Sequence, residues 1–116
     1  MAAAPIRYLI INSGNANACT GEQGYKDAKA TCEAIAIAKN LRTEQVLPFS
    51  TGVIGEPLPV AKILAVLPEA LDKVVESGWD HAAHGIMTTD TRPKGFSEQI
   101  DIGGVIVTVN GISKGA

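Results

Sequence analysis

Residues 22–40 place Tyr25, Ala28, Cys32, Ile35 and Ala36 at spacings of three and four, with Lys26, Lys29, Glu33 and Lys39 at other angles. That periodicity predicts an amphipathic helix of about five turns. It lies between two short β-rich runs, residues 6–11 and 45–49, and a helix with one apolar stripe flanked by strands must lay that stripe on a sheet. The fold class expected is therefore α/β, with helices layered on a mixed β-sheet. Aromatic residues make up only 4% of the chain, so the core has to be assembled from Val, Ile, Leu and Ala. Thr20 is expected to cap the helix, with Gln23 completing a capping box.

Both β-rich runs end in turn-forming residues. The first enters the loop Asn12-Ser13-Gly14-Asn15-Ala16-Asn17-Ala18, and the second enters Ser50-Thr51-Gly52-Val53-Ile54-Gly55, read as a tight turn. Pro57 and Pro59 stand at the start of a further helix whose apolar members are Val60, Ile63, Leu64, Leu67, Leu71, Val74 and Val75. Pro68 interrupts the pattern and predicts a kink or a division into two helices. A third helix is expected from Trp79-Asp80 through His84, ending at the polar knot 87–94. Beyond it, residues 96–102 and 105–109 flank Gly103-Gly104, a hairpin signal.

The length of 116 residues and the 46% hydrophobic content predict a single globular domain. The formal net charge of −2 is spread without basic clusters, so neither nucleic acid nor an anionic membrane is an expected partner. No apolar run approaches the roughly 18 to 20 residues that cross a bilayer, and Met1-Ala2-Ala3-Ala4-Pro5 is too short for a signal peptide. A cytoplasmic location follows as the expectation. Cys19 and Cys32 lack the spacing of a zinc or redox pair and read as reduced thiols.

Several side chains carry chemistry. At Thr51-Gly52 a hydroxyl and a Cβ-free backbone N–H stand side by side, one way to build a pair of donors for an oxyanion. The asparagines of 12–17 either contact a ligand or satisfy backbone groups of their own turn. GxGxxG and GxxxxGK[ST] are both absent, which disfavours a nucleotide. Thr88-Thr89-Asp90-Thr91 is either a capping cluster or a set of short polar side chains around a substrate. Lys114, between Ser113 and Gly115, is either solvated or turned inward toward a carboxylate. His81 and His84 have no third ligand nearby, and Glu56 and Asp90 have no carboxylate partner for acid/base work.

In order along the chain, Asn12-Ser-Gly-Asn-Ala-Asn17, Ser50-Thr-Gly-Val-Ile-Gly-Glu-Pro-Leu-Pro59, Gly85-Ile-Met-Thr-Thr-Asp-Thr91 and Gly111-Ile-Ser-Lys-Gly-Ala116 resemble one family. It is the bifunctional ornithine acetyltransferase, or glutamate N-acetyltransferase, family of arginine biosynthesis. The resemblance implies the interior of the α half of a self-cleaving precursor with an αββα sandwich fold. In such enzymes the threonine freed at an Ala-Thr bond takes the acetyl group of N-acetylornithine and passes it to glutamate. Carried over by motif, Thr51 and Gly52 fall on the oxyanion hole and Thr88 and Lys114 on substrate-binding positions, with Thr89 the alternative to Thr88. No cofactor or metal is implied, although acetyl-CoA is a possible acetyl donor. The implied partners are N-acetylornithine, glutamate, the β chain of the same precursor and further copies in an oligomer. The nucleophile is expected beyond Ala116, so the 116 residues alone are expected to be inactive. The alternative is a non-catalytic α/β module that binds a small polar metabolite or a partner chain.

Overall fold

The computed structural model describes residues 5–115, so the expectations for Met1 to Ala4 and for Ala116 lie outside the described residues. The chain forms two compact units, Met1–Val74 and Val75–Ala116.

In the first unit, β1 (Tyr8–Asn15) and β2 (Val46–Val53) run parallel, joined by α1 (Gly21–Ala38) and followed by α2 (Val60–Asp72). Parallel neighbours need a crossover, and α1 supplies it. The register pairs Tyr8 with Val46 and continues through Gly14 opposite Gly52 to an irregularity at Asn15. The core gathers Cys32, Ile35 and Ala36 of α1, Val46 of β2 and Leu67 of α2, with Tyr8 and Ile10 packed against them. Ile35 is 2% exposed, and burial of a side chain that size stabilises by about 1.5–3 kcal/mol.

The helical stripe differs from expectation at its first position. Tyr25 is 71% exposed, and Gly24 takes the inner place. A Cβ on Gly24 would lie 1.9 Å from Thr20 Oγ1, so no larger residue fits. Thr20 does not cap through its side chain. Its hydroxyl is bonded instead to the Asn17 side chain at 2.8 Å, while Gln23 reaches Asp27. Pro68 neither breaks nor ends α2, which runs unbroken through it. Only Leu67 of that helix is fully buried, and Leu64 and Val66 are exposed.

The second unit holds α3 (Trp79–Gly85) and an antiparallel hairpin of β3 (Lys94–Ile102) and β4 (Val105–Ser113). The expected turn is present. Gly103 and Gly104 both have positive φ, 64° and 87°, the conformation a two-residue hairpin turn requires. Asp101 Oδ1 accepts from Gly104 N–H at 2.7 Å and closes it.

Candidate functional site

Both strands of the first unit extend further than their apolar residues indicate. The Ser50-Thr51-Gly52 segment is not a turn but the last part of β2, and Asn12 to Asn15 complete β1. Ladder pairing with a parallel neighbour holds these polar residues extended, a tertiary effect that local turn propensity does not contain. Side chains alternate along a strand, so Asn12 and Ser50 face α1 with Ile10 and Pro48, whereas Ser13 and Thr51 share the other face with Leu9, Ile11, Leu47 and Phe49. Among the described residues that second face is left open: Leu9 is 56% and Phe49 48% exposed.

Ser50 Oγ donates to Asn12 Oδ1 at 2.6 Å, which commits the serine to holding the strands together. The remaining asparagines are also occupied. Asn15 Nδ2 donates to the carbonyls of Glu56 and Pro57, both at 3.0 Å, and Asn15 Oδ1 accepts from Asn17 N–H at 2.8 Å. Asn17 Nδ2 donates to the carbonyl of Gly24 at 2.8 Å. Of the two readings left open for this loop, internal satisfaction of the chain accounts for these contacts, and they fix the segment that follows Gly52.

Gly52 has φ of +134°, and a Cβ there would lie 2.3 Å from the Gly14 carbonyl carbon and 2.6 Å from the Asn15 nitrogen. The backbone of β1 therefore passes over Gly52 at a distance only glycine allows. Thr51, half-buried beside it, stands at the carboxyl end of two parallel strands, where open α/β sheets bind ligands.

In the second unit, Lys114 is not wholly solvated, and this contact is to a hydroxyl rather than a carboxylate: its Nζ donates to Thr88 Oγ1 at 2.5 Å across 26 residues of sequence. Asp90 lies at the centre of this cluster. Its carboxylate accepts from Lys94 Nζ at 2.7 Å, from Gly115 N–H at 2.5 Å and from Thr88 N–H at 3.2 Å, and Lys94 also donates to the Gly115 carbonyl. The Asp90 side chain is 1% exposed. The Lys94 ammonium and the two backbone N–H donors hold its carboxyl far below the usual carboxylate range. Thr89 is exposed. The sequence carried one sign of this node, a lysine four residues beyond Asp90, but Pro93 between them hides the pairing from helical spacing rules. A cleft of about 430 Å³ in the same unit is lined by Trp79, Asp80, Phe96 and Asn110 and does not include Thr88, Asp90 or Lys114.

Burial pushes the Cys32 thiol up, away from a reactive thiolate, and Cys19 is an exposed free cysteine. Among the described residues no group of three His, Cys, Asp or Glu is placed to hold a metal. His84 Nδ1 lies 2.9 Å from the Asp80 carbonyl oxygen. No helix among the described residues is long and apolar enough to cross a membrane.

The ArgJ family model matches residues 1–116. The chain belongs to the ArgJ family. It is 56% identical over 110 residues, 95% of its length, to the arginine biosynthesis bifunctional protein ArgJ of Methylococcus capsulatus. To the protein of that name from Pseudomonas syringae pv. tomato it is 58% identical over 96% of its length. In each case it spans about a quarter, 27%, of the relative. Among solved structures, Bacillus halodurans ArgJ superposes with a TM-score of 0.81 at 36% identity, over 93% of this chain and 56% of that one. Mycobacterium tuberculosis ornithine acetyltransferase, complexed with ornithine, gives 0.77 at 38% identity, over 93% and 58%. The α/β class and the family expected from the four motifs are both borne out.

Proposed function

We propose that this chain supplies the oxyanion hole and the amino-acid contacts of an ArgJ acetyltransferase that moves an acetyl group from N-acetylornithine to glutamate. The observation that carries the reading is the Lys114–Thr88 contact, which joins two residues singled out separately for substrate binding. An ammonium beside a hydroxyl suits an amino acid: the lysine meets the carboxylate and the threonine adds a neutral hydrogen bond. The ornithine bound by the Mycobacterium tuberculosis relative is consistent with such a ligand.

The nucleophile in this reading is a threonine outside residues 1–116, activated by its own α-amino group. Its Oγ attacks the acetyl carbon, negative charge gathers on the carbonyl oxygen, and Thr51 Oγ1–H and Gly52 N–H donate to that oxygen. The C–N bond then breaks and ornithine leaves with the proton taken from the threonine; the glutamate amine next attacks the acetyl-threonine ester, the C–O bond breaks, and the amine's proton returns to the threonine Oγ. Donors fixed on a strand end need no reorganisation as the charge develops, the condition under which such a pair lowers a barrier most. Acetyl-CoA is an alternative acetyl source at the same threonine. The β chain of the precursor and further copies in an oligomer are the partners, and the cytoplasm is the location.

The test is a hybrid in which these residues replace the matching quarter of Methylococcus capsulatus ArgJ. Acetyl transfer from N-acetylornithine to labelled glutamate is expected from the hybrid and not from the purified 116-residue chain. Turnover by the chain alone would sink the external nucleophile. A folded but inactive hybrid would favour a non-catalytic module instead, a reading that gains from one observation: packing against Gly14 is enough by itself to require glycine at 52.

A further inference from the structure

We propose that Asp90 is a positioning residue of the substrate site, its carboxylate fastening the Thr88 loop to the end of β4 so that Lys114 and Thr88 stand as a pair; this rests on the function proposed above. The geometry is specific. Two of its three donors are backbone N–H groups, that of Thr88 itself and that of Gly115, one peptide from Lys114. A single carboxylate thus holds the main chain on both sides of a contact made by two side chains. Lys94 supplies the third donor and also bonds the Gly115 carbonyl, tying β3 into the same knot. Gly115, with φ of +133°, turns its N–H to the carboxylate in a conformation unfavourable to other residues.

Thr88 N–H, Gly115 N–H and Lys94 Nζ all donate to Asp90, so its role requires the ionised form, and its lowered pKa supports that state. A carboxyl whose folded pKa is depressed contributes above its unfolded value, about 4, and the contribution fades as pH falls through the lower folded value. The pairing is therefore expected to hold unchanged from neutral into mildly acidic solution and to be lost only in strong acid.

Isotope-labelled 116-residue chain titrated with N-acetylornithine, and in parallel with N-acetylputrescine, which lacks the carboxylate, tests the assignment through the Thr88 and Gly115 amide signals. Wild type is expected to prefer N-acetylornithine. Asp90→Asn keeps the shape but removes the charge and turns an N–H₂ toward donors, and it is expected to weaken N-acetylornithine by about tenfold while leaving N-acetylputrescine nearly unchanged. Unaltered Gly103 and Gly104 signals would show the hairpin intact. An Asp90→Asn chain with wild-type preference overturns the positioning role and leaves the proposed function standing. A wild-type chain that does not discriminate the two ligands overturns the substrate reading of Lys114 and Thr88, and this inference with it. If Asp90→Asn fails to fold, Lys94→Gln decides: a partial loss of preference supports the role, and an unchanged preference defeats it.

Discussion

Thr51 and Gly52 are neighbours with different burdens, and substitutions separate them. Gly52→Ala forces a Cβ into the backbone of Gly14, so we expect a loss of stability on the order of 3 kcal/mol, read as a lower urea midpoint. A midpoint within experimental error of wild type would mean that β1 yields at that crossing. Thr51→Ala removes a hydroxyl from a half-buried strand position and is the cleaner probe of chemistry. In an active hybrid it is expected to lower kcat by about 10² to 10³. Unchanged turnover would take Thr51 out of the oxyanion hole. Ile35, 2% exposed in the core, sets the scale for a purely structural loss: Ile35→Ala should cost about 2–5 kcal/mol by denaturant titration.

At the level of elements, the two sheets differ in what covers them. The β1–β2 pair is clamped on one face by α1 and carries the buried cluster. The hairpin has Phe96 72%, Ile102 62% and Val105 63% exposed, and most of both its strands faces solvent. Two-stranded hairpins are marginal in water, and this one is steadied by α3 packed against both strands, by its glycine turn and by the Asp90 knot at its open end. Amides of β3 and β4 should exchange with deuterium at least ~100-fold faster than those of α1, a spread expected between local opening and global unfolding. Equal protection in both would show that the hairpin is held by something beyond these contacts.

For the whole molecule, each unit exposes large apolar side chains: Leu9, Ile11, Leu47 and Phe49 on one sheet face of the first, and Phe96, Ile102 and Val105 on the hairpin of the second. Self-association of the 116-residue chain is the expected result, with a sedimentation-velocity distribution that shifts to larger species between about 5 and 100 µM. A single monomeric species across that range, with no binding of an apolar dye, would contradict it. Thr51 lies on the same face as those four residues, so a segment that covers them also closes over the proposed oxyanion position.

The amino-acid order alone determined the local and the periodic: the amphipathic α1 stripe around Cys32, Ile35 and Ala36, the Gly103-Gly104 hairpin, and the four motifs that place the chain in its family. These depend on neighbours within a few residues or on short runs of residues in a fixed order, both readable along a line. Tertiary structure alone decided that Asn12 to Asn15 and Ser50 to Val53 are strand, that Gly24 displaces Tyr25 from the inner face, and that Pro68 leaves α2 unbroken. It also decided that Asp90 joins Thr88 to Gly115 across the hairpin. The strand ends and the Asp90 knot depend on a partner far away in sequence, a parallel strand or a backbone N–H 25 residues on, whose free energy outweighs local propensity and leaves no periodic trace.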